Sequence, residues 1–183
     1  ENTREITNQY IKCLAGDDRG AIWLGTDHGG LIRYCGNKFE LFSVDTGLVD
    51  NGIRSIVCSK QGMVWIGTRK GLNLFYEETG KIITIPFPES VVKRYVRQIY
   101  EDRNGNIWVG TTGGDLVRIF REGKEFKSEL FRSFPSSVET ILLSRNGTLW
   151  IGTRENGLIG IQGTTEKQWD QSFHFFALQT IPA

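Results

Sequence analysis

The stretch WLGT at residues 23–26 returns as WIGT at 65–68, WVGT at 108–111 and WIGT at 150–153. The four tryptophans are separated by 42, 43 and 42 residues. A segment that recurs at one period of this length is typical of proteins built from stacked supersecondary units. The sequence therefore predicts four copies of one structural repeat.

The residues around each copy also repeat. Glycine and apolar residues follow each GT, as in GGLIRY at 29–34, and an apolar pair spaced three apart precedes each copy. These segments are short, rich in β-branched and aromatic residues and separated by turns such as DDRG and DRNG, as expected of strands. With a further segment near 39–43, 82–85, 126–131 and 173–178, each unit has four predicted strands. The apolar pairs are Ile11 and Leu14, Ile53 and Ile56, Val96 and Ile99, and Val138 and Ile141.

Four antiparallel strands in about 42 residues match the size of one β-propeller blade. Strand residues spaced three apart point to opposite faces, so both faces of each sheet need cover, which neighbouring blades supply. We therefore predict an all-β propeller with four blades, at about 8–50, 51–92, 93–135 and 136–178. Each tryptophan is expected to pack on the next blade, and the glycine after it to allow close approach. These structural residues are Trp23, Gly25, Trp65, Gly67, Trp108, Gly110, Trp150 and Gly152.

The number of blades is low for a closed ring, since propellers use about four to eight. An open end would expose an apolar sheet face of the kind that normally forms an interface. The sequence stops where a fifth inner strand would begin. We therefore expect a segment of a larger ring, completed by further blades or by other copies of the chain. A self-closed ring of four blades is the alternative.

The fourth unit differs from the others because more residues separate its tryptophan from its last strand. Residues 163–172 are predicted to form an extended outer loop. Trp169 in this loop lies outside the repeat, and we expect it to cover the edge of the blade. The alternative role is an anchor for a ligand or a partner.

Composition excludes several classes of function. Among 183 residues, 22 Lys and Arg balance 21 Asp and Glu, so a direct nucleic-acid contact is not expected. No apolar run approaches the roughly 18 residues that cross a bilayer, and the first twenty residues do not resemble a signal peptide. This segment is therefore not expected to contact a membrane. Three cysteines, Cys13, Cys35 and Cys58, match neither a metal site nor a disulfide framework.

Groups for catalysis are scarce in this sequence. The two histidines, His28 and His174, lie in different units, and DRNGN at 102–106 lacks the later glutamate of a calcium loop. Neither a phosphate-binding loop nor a G-x-S-x-G motif occurs. We predict no catalytic residue, no metal site and no cofactor.

A ring of variable residues is the candidate binding site. In each unit these positions lie in or just before the inner strand, or directly after the GT, and they are expected at the mouth of the central channel. Arginine and tyrosine there could bind a carbohydrate or a carboxylated small molecule by hydrogen bonds and stacking. The alternative is a ring of solvated charges. The candidates are Tyr10, Lys12, Arg54, Arg69, Arg94, Tyr95, Arg97 and Arg154.

The pattern D-x-x-G-x-I-W-V-G-T followed by G-G-L-x-R-Y resembles the two-component regulator propeller repeat, over almost the whole chain. The resemblance implies the periplasmic sensor part of an inner-membrane hybrid histidine kinase of the Bacteroides type, usually with seven-bladed rings. It further implies detection of oligosaccharides and control of transcription through kinase, receiver and DNA-binding domains, none of which is in this chain. Ser59 and Ser144 depart from the repeat, which usually has aspartate there.

The resemblance favours a non-catalytic sensor segment that recognises a ligand and biases attached signalling domains. A propeller enzyme similar to the streptogramin lyases is an alternative, although the two histidines are not placed together by the repeat. A structural spacer is the third possibility.

Overall fold

The computed structural model describes residues 9–59, 62–165 and 168–176. These residues form four antiparallel sheets of four strands and one short 3-10 helix, Val44–Thr46. The first sheet contains β1 Ile11–Gly16, β2 Ile22–Thr26, β3 Leu31–Cys35 and β4 Lys38–Phe42. The second contains β5 Ile53–Ser59, β6 Met63–Thr68, β7 Leu72–Tyr76 and β8 Lys81–Ile85. The third contains β9 Val96–Glu101, β10 Ile107–Thr111, β11 Asp115–Glu122 and β12 Glu125–Ser133. The fourth contains β13 Val138–Leu143, β14 Thr148–Thr153, β15 Leu158–Thr165 and β16 Gln168–Phe176.

Each sheet is a propeller blade whose strands pair in chain order from the inside outwards. The inner strands pack in series, β1 on β5, β5 on β9 and β9 on β13. This arrangement confirms the predicted all-β propeller with four blades.

Aspartate in the first hairpin fixes both the turn and the tryptophan. Asp17 Oδ1 accepts hydrogen bonds from Arg19 N at 3.1 Å and Ala21 N at 2.8 Å. Its Oδ2 accepts from Trp23 Nε1 at 2.9 Å. Gly20 closes the turn with a φ of 84°, a conformation that glycine adopts without strain. Asp102 makes the same bond to Trp108, so one residue type orients both indole rings.

The blades contact each other where the repeat predicts. Trp23, Trp65 and Trp108 are at most 1% exposed. A methyl group added to Gly25 would come within 2.6 Å of Ile53 in the next blade, and one added to Gly67 within 2.5 Å of Val96. A methyl group added to Gly110 would likewise meet Val138 in the fourth blade. The first apolar residue of the second, third and fourth inner strands therefore packs on the glycine of the preceding blade.

The two ends of the stack present different faces. On the first blade, an aliphatic row runs across all four strands, from Leu14 through Leu24 and Ile32 to Leu41. Leu14 is 64% exposed and Leu41 49%. On the fourth blade, the open face is the opposite one, which carries the half-buried Trp150. Among the described residues, β1 and β13 do not pack together as neighbouring inner strands do, so these parts do not close a ring of four.

The loop predicted at 163–172 is wrong for most of its length. Residues 163–165 end β15, and residues 168–172 begin β16. Gly163 pairs with Trp169 and Thr165 with Gln168, after two register shifts. The described extra residues therefore lengthen the two outer strands, with irregular pairing between them. The predicted side-chain role of Trp169 lies outside the described part of the structure.

Candidate functional site: a charged rim at the propeller axis

Threonine of the repeat shapes the turn at one end of each blade. Thr26 Oγ1 donates a hydrogen bond to Gly30 O at 2.8 Å and accepts one from Gly29 N at 2.8 Å. Thr68 and Thr153 make the same bond to the carbonyl of the glycine that ends their own turns. The WxGT motif therefore fixes the turn between the second and third strands, and with it the residue that follows the threonine.

That residue is also tied to the start of the inner strand. In all four blades its backbone N–H donates to a carbonyl just before the inner strand, which brings the variable residues of both segments together at the axis. We call this surface the axial rim, defined by Lys12, Asp27, Arg54, Arg69, Arg97, Thr112, Glu139 and Arg154. The hydrogen bonds are Asp27 N to Tyr10 O at 2.9 Å, Arg69 N to Gly52 O at 3.1 Å, Thr112 N to Tyr95 O at 2.9 Å and Arg154 N to Ser137 O at 2.9 Å.

Asp27 joins the first two blades. Its Oδ1 lies 2.5 Å from Nη2 of Arg54 and 2.5 Å from Nη2 of Arg69, and its Oδ2 lies 4.0 Å from Lys12 Nζ. Burial raises the pKa of Asp27, but the hydrogen bond and charge of Arg54 and the charges of Arg69 and Lys12 outweigh it. The pKa of this carboxyl group therefore lies below its ordinary value, and the group is ionised at neutral pH.

Glu139 joins the third and fourth blades. Its Oε2 accepts from Arg97 Nε at 2.9 Å and from Arg97 Nη2 at 2.5 Å. Burial raises the pKa of Glu139, but the hydrogen bond from Arg97 and the charges of Arg97 and Arg154 bring it below its ordinary value. The hydrogen bond to Glu139 in turn raises the pKa of Arg97.

Tyrosine rings flank the cations of the rim. The guanidinium carbon of Arg54 lies 5.5 Å from the ring centre of Tyr95, and Lys12 Nζ lies 4.5 Å from that of Tyr10. Both distances are in the range of cation–π contacts. The Arg54 side chain is only 14% exposed, and its Nε is buried without a hydrogen-bond partner. Arg54 is therefore held in one orientation.

The structure brings most of the predicted candidates together. Lys12, Arg54 and Arg69 converge on Asp27, with Tyr10 and Tyr95 beside them. Arg97 and Arg154 lie near Glu139. Arg94 differs, because its Nε donates to Val91 O at 3.3 Å in the link before the third blade. Ligand binding by these residues stays a prediction.

Sequence reasoning did not identify Asp27 and Glu139 as partners of the arginines. The signal was present in the spacing, because Asp27 and Arg69 are 42 residues apart, as are Arg97 and Glu139. One period separates equivalent positions of adjacent blades, so opposite charges at that spacing meet across a blade interface. His28 is 73% exposed in its side chain, 3.6 Å from Asp27, as expected of a turn residue.

A cavity of about 530 Å³ lies at the opposite end of the second and third blades. It forms where Ser59 replaces the aspartate found in the first and third hairpins. Ser59 Oγ donates to Glu101 Oε2 at 2.9 Å and accepts from Trp65 Nε1 at 3.1 Å, so Glu101 supplies the missing carboxylate from the next blade. The lining includes Ser59, Met63, Glu101, Asp102, Arg103, Arg121 and Phe126.

Within the described ranges, no three His, Cys, Asp or Glu side chains are placed to hold a metal ion together. No helix in the described part of the chain has the length and apolar character needed to cross a membrane.

Comparison with known proteins identifies the repeat. The family described as "Two component regulator propeller" matches residues 5–28, 47–70 and 91–113. "Histidine kinase P4" of Formosa agariphila is 30% identical over 137 residues, which cover 69% of this chain and 10% of that protein. The chain thus spans about a tenth of this relative.

Solved structures share the fold. The extracellular domain of BT4673 from B. thetaiotaomicron, described as a one component system, is 29% identical with a TM-score of 0.71, covering 84% of this chain and 21% of that domain. Virginiamycin B lyase from Staphylococcus aureus is 19% identical with a TM-score of 0.70, covering 96% of this chain and 58% of the lyase. At this identity the lyase shares the fold alone.

Proposed function

Because the chain belongs to the two component regulator propeller family, we propose that it is a non-catalytic sensor segment of a hybrid two-component histidine kinase. The similarity to a histidine kinase and to an extracellular domain supports this role. The proposed location is the periplasmic side of the inner membrane. Kinase, receiver and transcription-regulating activities would belong to other parts of the protein.

The proposed ligand is a small molecule, in particular an oligosaccharide, bound at the axial rim. The single observation that carries this proposal is the convergence of Lys12, Arg54 and Arg69 on Asp27, beside the rings of Tyr10 and Tyr95. Arginine provides several directed hydrogen-bond donors, and tyrosine provides a face on which a sugar ring can stack. Residues from adjacent blades contribute to the rim, so a ligand there would favour one arrangement of the blades over another.

The proposed protein partners are further blades of the same protein or other copies of the chain, within a larger, seven-bladed ring. Each internal interface places a tryptophan face of one blade against the opposite face of the next blade. The first blade presents an aliphatic face with Leu14 and Leu41, and the fourth presents a face with Trp150. One is a tryptophan face and the other is the opposite face, and these are the two faces that pack together at each internal interface.

Isothermal titration calorimetry of the chain against a panel of oligosaccharides tests the sensor role, with product analysis of each mixture. Binding without turnover is the expected result. Turnover would contradict the proposal and favour an enzyme similar to the streptogramin lyases. An absence of binding across the panel would contradict ligand recognition and favour a structural spacer.

A further inference from the structure

Positive charge is concentrated at the axial rim. Five cationic side chains, Lys12, Arg54, Arg69, Arg97 and Arg154, face two carboxylates, Asp27 and Glu139. The rim thus carries an excess of three positive charges, whereas the whole chain has a net charge of +1. We infer that the rim binds an anionic group, a carboxylate or sulfate carried by a small ligand, in preference to a neutral sugar. This inference rests on the proposed function and names the class of ligand.

The carboxylate of Asp27 does not saturate its cationic partners. A single oxygen, Oδ1, is shared by Arg54 and Arg69, each 2.5 Å away. A guanidinium group has five N–H donors, and the contact with Asp27 uses only the Nη2 atom of each arginine. Lys12 Nζ lies 4.0 Å from the nearest carboxylate oxygen of Asp27, beyond hydrogen-bond distance.

Arg54 is oriented before any ligand arrives. Its guanidinium group contacts the carboxylate of Asp27 and lies 5.5 Å from the ring centre of Tyr95. An arginine that is already oriented suits carboxylate and sulfate, because both groups accept charge-assisted hydrogen bonds from guanidinium. Preorganisation also lowers the entropic cost of binding.

The acidic residue Asp50 does not cancel the excess. Asp50, in the link before the second blade, lies 3.4 Å from Lys70 Nζ, and this pair is neutral as a unit. The positive excess is therefore located at the axis, where converging charges raise the local concentration of anions.

The test compares digalacturonic acid with its dimethyl ester, which keeps the sugar rings and removes both charges. Inorganic sulfate is a third probe, with sodium chloride at equal ionic strength as its control. Binding is followed by calorimetry and by NMR shifts of the full chain. We expect the acid to bind about tenfold more tightly than the ester, which corresponds to about 1.4 kcal/mol.

A double variant, K12Q and R154Q, removes two cations that are not locked to a carboxylate by a short hydrogen bond, so the fold should survive. The matched control, K124Q and R145Q, removes one lysine and one arginine from exposed turns away from the rim. The first pair should weaken binding of the acid about tenfold, and the control pair should leave it unchanged.

The outcomes separate the inference from the proposed function. Equal binding of acid and ester would overturn the anionic preference and leave oligosaccharide recognition standing. If neither sugar binds but sulfate shifts rim signals in a manner that depends on Lys12 and Arg154, the anion site stands and the oligosaccharide proposal fails. No response to any anion, or equal losses in both double variants, would overturn the inference.

Discussion

Asp27 Oδ1 lies 2.5 Å from Arg69 Nη2, and the two residues occupy equivalent positions in adjacent blades, 42 residues apart. An ion pair thus links equivalent positions of two adjacent units. Arg97 and Glu139 do the same between the third and fourth blades, from a different position of the repeat. The repeated motif packs the blades against each other. Charged residues that differ from unit to unit add ion pairs between those blades.

Asp27→Asn should change the response of stability to acid. Because the pKa of Asp27 is lowered in the folded protein, its contribution is present above the ordinary value of about 4 and is lost as the pH falls towards the folded value. The variant should be less stable than wild type at pH 7, and this difference should shrink at pH 3. Urea midpoints at both pH values measure it.

Asp18→Asn is the matched control, because Asp18 is an exposed residue of the first hairpin. It should leave the midpoint at pH 7 nearly unchanged. A difference between D27N and wild type that is the same at pH 3 and pH 7 would contradict the ion-pair explanation.

Glu77→Gln should have the opposite pH dependence. The Glu77 side chain is 2% exposed, and burial, together with the neighbouring Asp17, raises its pKa, whereas Arg19 and Arg33 lower it. A raised pKa means that the folded state binds the proton more tightly, so stability decreases as the pH rises through the folded value. Glutamine mimics the protonated group, so the variant should gain stability relative to wild type between pH 4 and pH 8.

The neighbouring Glu78 is exposed and provides the control, Glu78→Gln. Thermal unfolding at pH 4, 6 and 8 should show a pH-dependent difference from wild type for E77Q and a constant one for E78Q. Parallel curves for E77Q and wild type would mean that burial does not perturb this carboxyl group.

Trp65→Ala should destabilise the chain by about 3–5 kcal/mol, because a buried indole packed against the next blade would leave a cavity. Trp150 is half-buried, on the open face of the fourth blade. Trp150→Ala should therefore lower the free energy of unfolding by clearly less than Trp65→Ala does. Free energies of unfolding in urea measure both, and a cost for Trp150 equal to or above that for Trp65 would count against the assignment of interior and terminal blades.

Gly67→Ala should destabilise the interface between the second and third blades by about 1–3 kcal/mol, since a methyl group would meet Val96 at 2.5 Å. Gly16→Ala is the control, because nothing lies within 4 Å of an added methyl group there. Equal unfolding free energies for the two variants would show that Gly67 is not needed for close approach.

The blades were predictable because they depend on local patterns. The WxGT motif, the apolar pairs and the hairpin turns each lie within one unit, and four copies reinforce one another. Ion pairs such as Asp27 with Arg69 depend on which positions face each other across an interface, which the strand pattern of a single unit does not contain. The extension of β15 and β16 into residues 163–172 was not predicted, because added length looks the same in sequence whether it forms a loop or extends paired strands through irregular register.

Stacking of blades through their aromatic rings is the claim on which the rim and its function depend. Ring centres of Trp23 and Phe75 lie 5.2 Å apart, and those of Trp65 and Phe126 4.9 Å apart, each pair joining adjacent blades. Nuclear Overhauser spectroscopy of the folded chain should show cross-peaks between the indole and phenyl protons of both pairs. Strong cross-peaks within each hairpin, together with no cross-peak from Trp23 to Phe75 or from Trp65 to Phe126, would contradict the account.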